Sequence, residues 1–180
     1  MGYEEKTMKS EKIYDGKVLS LRIDTVELPD KKYSKREIIE HPGAVAVIPV
    51  TEEDEIVLVN QFRKAVESEL LELPAGKLEH GEEPIQCAAR ELKEETGYES
   101  SQLEFVSEFY TSPGFCNEKI FLYIAKGLIE GEATPDDGEY IDIKKIKIKD
   151  LDKIIAEGKI IDAKTLIGAL TVKSQYTDLK

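Results

Sequence analysis

The stretch that decides the reading is GKLEHGEEPIQCAARELKEETGY, residues 76–98. Its second half has the spacing of a helix over about Pro84–Thr96, with proline suited to the first turn and Gly97 to the C-terminal cap. On that helix Glu91 and Glu95 are four residues apart and Glu94 is three from Glu91, so the three carboxylates share one face. Ile85, Ala88, Ala89, Leu92 and Thr96 form another face, suited to a core. Like charges at this spacing repel by about 0.2–0.5 kcal/mol per pair. They also stand at the helix C-terminus, the wrong end of its dipole. A divalent cation with a preference for hard oxygen ligands would reverse both penalties. For an isolated E-x-x-E-E the commoner explanation is a solvated charged face. The residues around it decide the case.

Outward from the helix, the chain reads as mixed strands and helices. Val18–Ile23 and Glu37–Glu40 suggest short strands on either side of a turn at Pro29–Lys32. Pro42-Gly43 marks a boundary, giving an N-terminal β segment over residues 1–42 and a main domain over 43–180. Ala44–Val50 and Ile56–Val59 read as buried strands joined through Glu52–Asp54, a hairpin into the core. Further strands are expected at Glu69–Leu73, Leu103–Tyr110, Ile120–Ala125 and Ile141–Ile148. Helices are expected at about Lys149–Glu157 and from Asp162, an N-cap, through Leu166, Ile167, Leu170 and Val172. Without βαβ regularity, the class is α+β, or an α/β/α sandwich on a mixed sheet.

The bulk properties exclude several function classes. A chain of 180 residues suffices for one substantial core. The net charge of −12, without a basic block, argues against a nucleic-acid partner. No apolar run is long enough for a membrane span, and Met1–Lys12 lacks a secretory signal's apolar stretch. Cys87 and Cys116 make neither a zinc pattern nor a disulfide framework, and His41 and His80 form no ligand cluster. A cytoplasmic protein is the expectation.

Residues 76–98 place Gly76, five residues, Glu82, seven residues, then Arg90-Glu91-Leu92-x-Glu94-Glu95-x-Gly97-Tyr98. This resembles the box of the Nudix hydrolase family, G-x5-E-x7-R-E-U-x-E-E-x-G-U with U bulky, at every defining position. The resemblance implies a loop–helix–loop that presents Mg2+, or Mn2+ in its place, to a diphosphate. It implies Glu91, Glu95 and Glu94 as metal ligands, joined by the Ala75 carbonyl. It implies Glu82 and Arg90 as a structural pair. Water, activated by the cation and deprotonated by a carboxylate, would attack phosphorus. Glu94 and Glu95 are candidates for catalysis from within the box.

Features outside the box resemble the family's ADP-ribose pyrophosphatase branch. Pro113 in Ser112–Phe115 lies fifteen residues after Tyr98. Arg36-Glu37 resembles a pair that serves the nucleoside end. Arg63, in Gln61-Phe62-Arg63, resembles an arginine that reaches the diphosphate; a surface pair with Glu67 or Glu69 is the other reading. Leu71–Gly76 resembles L-E-x-P-A-G, and Gly158–Thr165 resembles a G-K-I-x-D helix start. Pro113, Gly114 and Glu118 are further substrate-binding candidates. Glu139, in the loop Thr134–Tyr140, is the candidate general base, with Asp137 beside it. The resemblance implies hydrolysis of ADP-ribose to AMP and ribose 5-phosphate, and a homodimer that exchanges N-terminal strands. Alternatives are hydrolysis of other nucleoside diphosphate sugars, or a non-catalytic ADP-ribose sensor.

Overall fold

The computed structural model describes residues 3–177, which fall into two compact units. The first comprises the chain up to Gly43 together with Phe109–Lys119. In it β1 (Lys6–Asp15), β2 (Ser20–Glu27) and β3 (Tyr33–Glu40) form an antiparallel sheet in the order β1-β2-β3. The turn after β2 closes through Leu28 N–H to Lys32 O, at 2.7 Å. Residues 109–119 are stitched to β3. Ile39 N–H donates to Phe115 O at 2.8 Å, and Asn117 N–H donates to Ile39 O at 3.1 Å. β1 was not expected before Lys12. Its charged run lacks the period-2 apolar pattern, because every one of its residues is exposed.

The second unit holds β4 (Ala44–Pro49), β5 (Glu55–Arg63), β6 (Ser68–Glu72), β7 (Ala75–Lys77), α1 (Pro84–Thr96), most of β8 (Glu99–Tyr110) and β9 (Lys119–Ile129), β10 (Ile141–Lys147), α2 (Leu151–Ala156) and α3 (Ala163–Thr177). One sheet is mixed, ordered β7-β4-β9-β8 with β4 and β9 parallel; another is antiparallel, ordered β10-β5-β6. The expected hairpin of β4 and β5 is corrected here. They belong to different sheets, with the isolated bridge Val50–Ile56 formed just past the end of β4, because β5 spends its backbone groups on β10 and β6.

Strand alternation makes β4 the centre of an α/β/α layering. Val45 and Val47 pack with Cys87, Ala88 and Leu92 of α1 in one buried cluster. Ile48 points the other way, toward α3, where a Cβ on Gly168 would lie 3.1 Å from it and 2.6 Å from Leu73. Gly168 therefore lets α3 lie close against the sheet. Among the described residues, no helix is long and apolar enough to cross a membrane.

α1 has the expected limits. Gly97 takes φ 75° and donates its N–H to Lys93 O, while Pro84 opens the helix. The buried stripe differs from expectation. Cys87, Ala88, Leu92, Glu95 and Thr96 are buried, whereas Ile85 is half exposed and Ala89 is exposed. Positions 88, 92, 95 and 96 recur at helical spacing, so the stripe carries a glutamate inward.

Candidate metal and catalytic site

The short strand β7 and the helix α1 meet at Gly76. A Cβ there would stand 1.9 Å from the Glu91 carboxyl carbon, so only glycine lets that carboxylate lie over the loop backbone. Next to it, Ala75 N–H donates to Glu95 Oε2 at 3.0 Å. Glu95 is 5% exposed. Burial pushes its carboxyl up to about 8, against the pull of the Ala75 N–H and with the added push of Glu91 and Glu139. Burial also raises Glu91, opposed by Arg90.

Arg90 binds the rest together. Its Nε and Nη2 donate to the two oxygens of Glu82 at 2.9 and 3.0 Å. Its Nη1 donates to Glu91 Oε1 at 2.7 Å and Glu94 Oε2 at 2.9 Å. Glu82 also accepts from Glu79 N–H at 3.0 Å, and its hydrogen bonds from Arg90 hold its carboxyl down to about 2. Glu82 and Arg90 thus tie loop to helix, as the resemblance implied. Cys87 faces Lys77 O, and burial pushes its thiol up to about 12, so it is no nucleophile.

These groups fit a hard divalent cation. They are carboxylates at a glycine cradle that a Cβ would fill, and one is buried with a raised affinity for protons. Among the described residues, no three acidic, His or Cys side chains stand together as a ready ligand cluster. Arg90 is the counter-cation of Glu91 and Glu94.

The loop before β10 is anchored on the same helix. Thr134 N–H donates to Glu94 O at 2.9 Å. A Cβ on Gly97 would meet Gly131 O at 2.6 Å. Glu139 is exposed in the turn closed by its own N–H to Asp136 O, at 3.0 Å, and its charge acts on both Glu91 and Glu95.

Arg63 is not paired with Glu67 or Glu69. Its Nε and Nη2 donate to the oxygens of Glu72 at 2.7 and 2.9 Å, and Lys164 Nζ donates to Glu72 as well. The register explains the correction. Glu72 lies opposite Val59, on the face that Arg63 shares, whereas Glu69 lies opposite Phe62 on the other face. Glu67 sits at the left-handed cap of a 3-10 turn and pairs with Lys64. Sequence reasoning gave Glu72, Lys164 and Thr165 no role. Their signal was the pair of segments 71–76 and 158–165, whose contact no local spacing reveals.

The remaining candidates lie in the first unit. Arg36, Pro113 and Gly114 line an open groove of about 490 Å³ with Ile38, Tyr110 and Phe115. Arg36 Nε donates to Glu5 Oε2 at 2.8 Å. Glu37 is exposed and, by alternation, points away from the face of Arg36 and Ile38. Glu118 accepts from Thr111 Oγ1 at 2.7 Å and lies 3.6 Å from His41 Nδ1.

A NUDIX domain model matches residues 40–166. The chain is 49% identical to the methanol dehydrogenase activator of Bacillus methanolicus, over 99% of this chain and 95% of that protein. It is 45% identical to an ADP-ribose pyrophosphatase of Bacillus subtilis (strain 168), over 98% and 94% respectively. It is 33% identical to an ADP-ribose pyrophosphatase of Mycobacterium tuberculosis, over 97% and 86%. A solved structure described as an ADP compounds hydrolase superposes with a TM-score of 0.87, covering 98% of this chain and 96% of that one. At 18% identity, that likeness is one of fold.

Proposed function

This chain belongs to the Nudix family, and from that premise we propose that it hydrolyses the pyrophosphate bond of ADP-ribose to AMP and ribose 5-phosphate with Mg2+, or Mn2+ in its place. The observation that carries the reaction class is the acidic cradle at Gly76, with Glu91 over the loop and Glu95 buried against Ala75. Glu91, Glu94, Glu95 and the Ala75 carbonyl would hold the cation. When bound, it neutralises phosphate oxygens and lowers the pKa of a water. Glu139 accepts the proton of the attacking water, and Arg63 meets the diphosphate. Arg36, Glu37, Pro113, Gly114 and Glu118 serve the substrate's other groups. The substrate assignment is supported by the two ADP-ribose pyrophosphatases, each aligned over nearly the whole chain.

The test is product analysis with Mg2+ over ADP-ribose, ADP-mannose, GDP-mannose and FAD. AMP and ribose 5-phosphate, formed fastest from ADP-ribose, are expected. Faster turnover of another sugar nucleotide reassigns the substrate, and binding without turnover makes the chain a sensor. A second reading is favoured by the 49% identity to the methanol dehydrogenase activator: the hydrolase stimulates a dehydrogenase. Adding methanol dehydrogenase to the same assay decides it, since an unchanged dehydrogenase rate removes that reading.

We also propose a homodimer that exchanges N-terminal strands. β1 is the outer strand of its sheet and exposes Met8, Ile13 and Tyr14, each at least half exposed. Such an edge invites a strand from a second copy. Sedimentation is expected to give twice the chain mass; a stable, fully active monomer would sink the proposal.

A further inference from the structure

We propose that Lys164 and Thr165, at the start of α3, are positioning residues for this hydrolysis: they clamp Glu72 and Leu73, and thereby orient Arg63 and set the Ala75 backbone beside Glu95. The inference rests on the reaction proposed above.

Glu72 is 1% exposed, and a carboxylate so buried must be paired. Arg63 supplies a two-pronged pair and Lys164 a third donor. Lys164 is itself largely buried, with its side chain 11% exposed, and is steadied by Asp162 Oδ1 at 3.1 Å. Arg63 commits Nε and Nη2 to Glu72 and bonds nothing through Nη1 among the described residues, while its side chain stays 42% exposed. Two cations on one carboxylate leave Arg63 oriented and with charge to offer an anion. Its charge acts on Glu95.

The next residue is held by the same helix start. Leu73 N–H donates to Thr165 Oγ1 at 2.8 Å, and that hydroxyl donates to Asp162 Oδ2 at 2.6 Å. Thr165 is fully buried, so no water competes for either bond. Asp162 Oδ2 also caps α3 by accepting from Thr165 N–H at 3.0 Å. Pro74 has no N–H to give, and its carbonyl accepts from Val47 N–H at 2.9 Å. Ala75 then donates to Glu95. Every residue from 72 to 75 is therefore tethered, and a shift at Leu73 passes directly into the backbone that borders Glu95.

The experiment compares Thr165→Val and Lys164→Met with the conservative Thr165→Ser and Lys164→Arg in the full chain. Mn2+ binding is followed by electron paramagnetic resonance without substrate, and kinetics with ADP-ribose are measured separately. Thr165→Val is expected to weaken Mn2+ binding about tenfold or more, the usual loss when a ligand's support is removed. Lys164→Met is expected to raise KM for ADP-ribose about tenfold with kcat changed less, the mark of lost ground-state binding. Serine and arginine should restore both. Wild-type Mn2+ affinity and KM in folded variants, with only Tm lowered, would overturn the proposal. If Thr165→Val does not fold, Asp162→Ala must weaken Mn2+ binding likewise, and unchanged binding there overturns it too. Should the wild type bind Mn2+ but leave ADP-ribose intact, the proposed reaction fails, while the Mn2+ comparison still judges the Thr165 clamp.

Discussion

Glu95→Gln is expected to lower kcat on ADP-ribose by about a thousandfold, the scale of losing one preorganised electrostatic group at a reacting centre. The fold should survive. Glutamine retains an oxygen to accept the Ala75 N–H that Glu95 now takes at 3.0 Å, and it fills the same buried space. The pH dependence of stability supplies an independent check. Burial raises the Glu95 carboxyl from 4.5 to about 8, so the folded chain holds a proton there that the unfolded chain has released. Its contribution to stability is complete below pH 4.5 and is lost as pH rises toward 8. Without metal, Tm should therefore fall across that window in the wild type and fall less in Glu95→Gln. Mg2+ should oppose the fall in the wild type alone, because a cation favours the ionised carboxylate. Activity within tenfold of wild type, or equal Mg2+ stabilisation of both proteins, would remove Glu95 from the site.

The inward turn of Glu95 also marks where sequence patterning stops. Helical spacing put Glu91, Glu94 and Glu95 on one face, apart from the face suited to a core, and Pro84 and Gly97 bounded the helix to the residue. Hydropathy alone could not say that Glu95 falls within the buried stripe while Ala89 is left outside it. The stripe is defined by what packs on it, here Val45, Val47 and Val57 from strands of two sheets. The same limit governs Arg63. Glu67 and Glu69 are its neighbours in sequence, yet the β5–β6 register puts Glu72 on its face. Lys164, 92 residues from Glu72, could be paired with it only by the fold. Local signals carry turns, caps and strand runs. They do not carry which sheet a strand joins, and so the β4–β5 hairpin failed although both strands were placed. Box residues were legible because loop and helix are contiguous; the supporting charges were not, because they arrive from distant segments.

Glu139→Gln is expected to lower kcat/KM by about a hundredfold or more, within the usual range for a general base. Mn2+ binding should remain close to wild type, because the residue is exposed in the turn at Asp136–Glu139 rather than seated in the cradle at Gly76. The case for this glutamate is its reach. The loop that carries it is hooked to α1 by Thr134 N–H on Glu94 O, and packs so tightly on Gly97 that a side chain there would strike Gly131 O. Its charge acts on both Glu91 and Glu95. A base must lose its proton before it can take one from water, so log(kcat/KM) in the wild type rises with pH until the base is ionised. Glutamine cannot ionise, and the variant should lose that rising limb as well as the rate. Asp137→Asn is the paired control, expected to keep both. A Glu139→Gln enzyme that keeps the limb and most of its rate would pass the proton to Asp137 or to the box glutamates. Loss of the limb in Asp137→Asn would decide for Asp137.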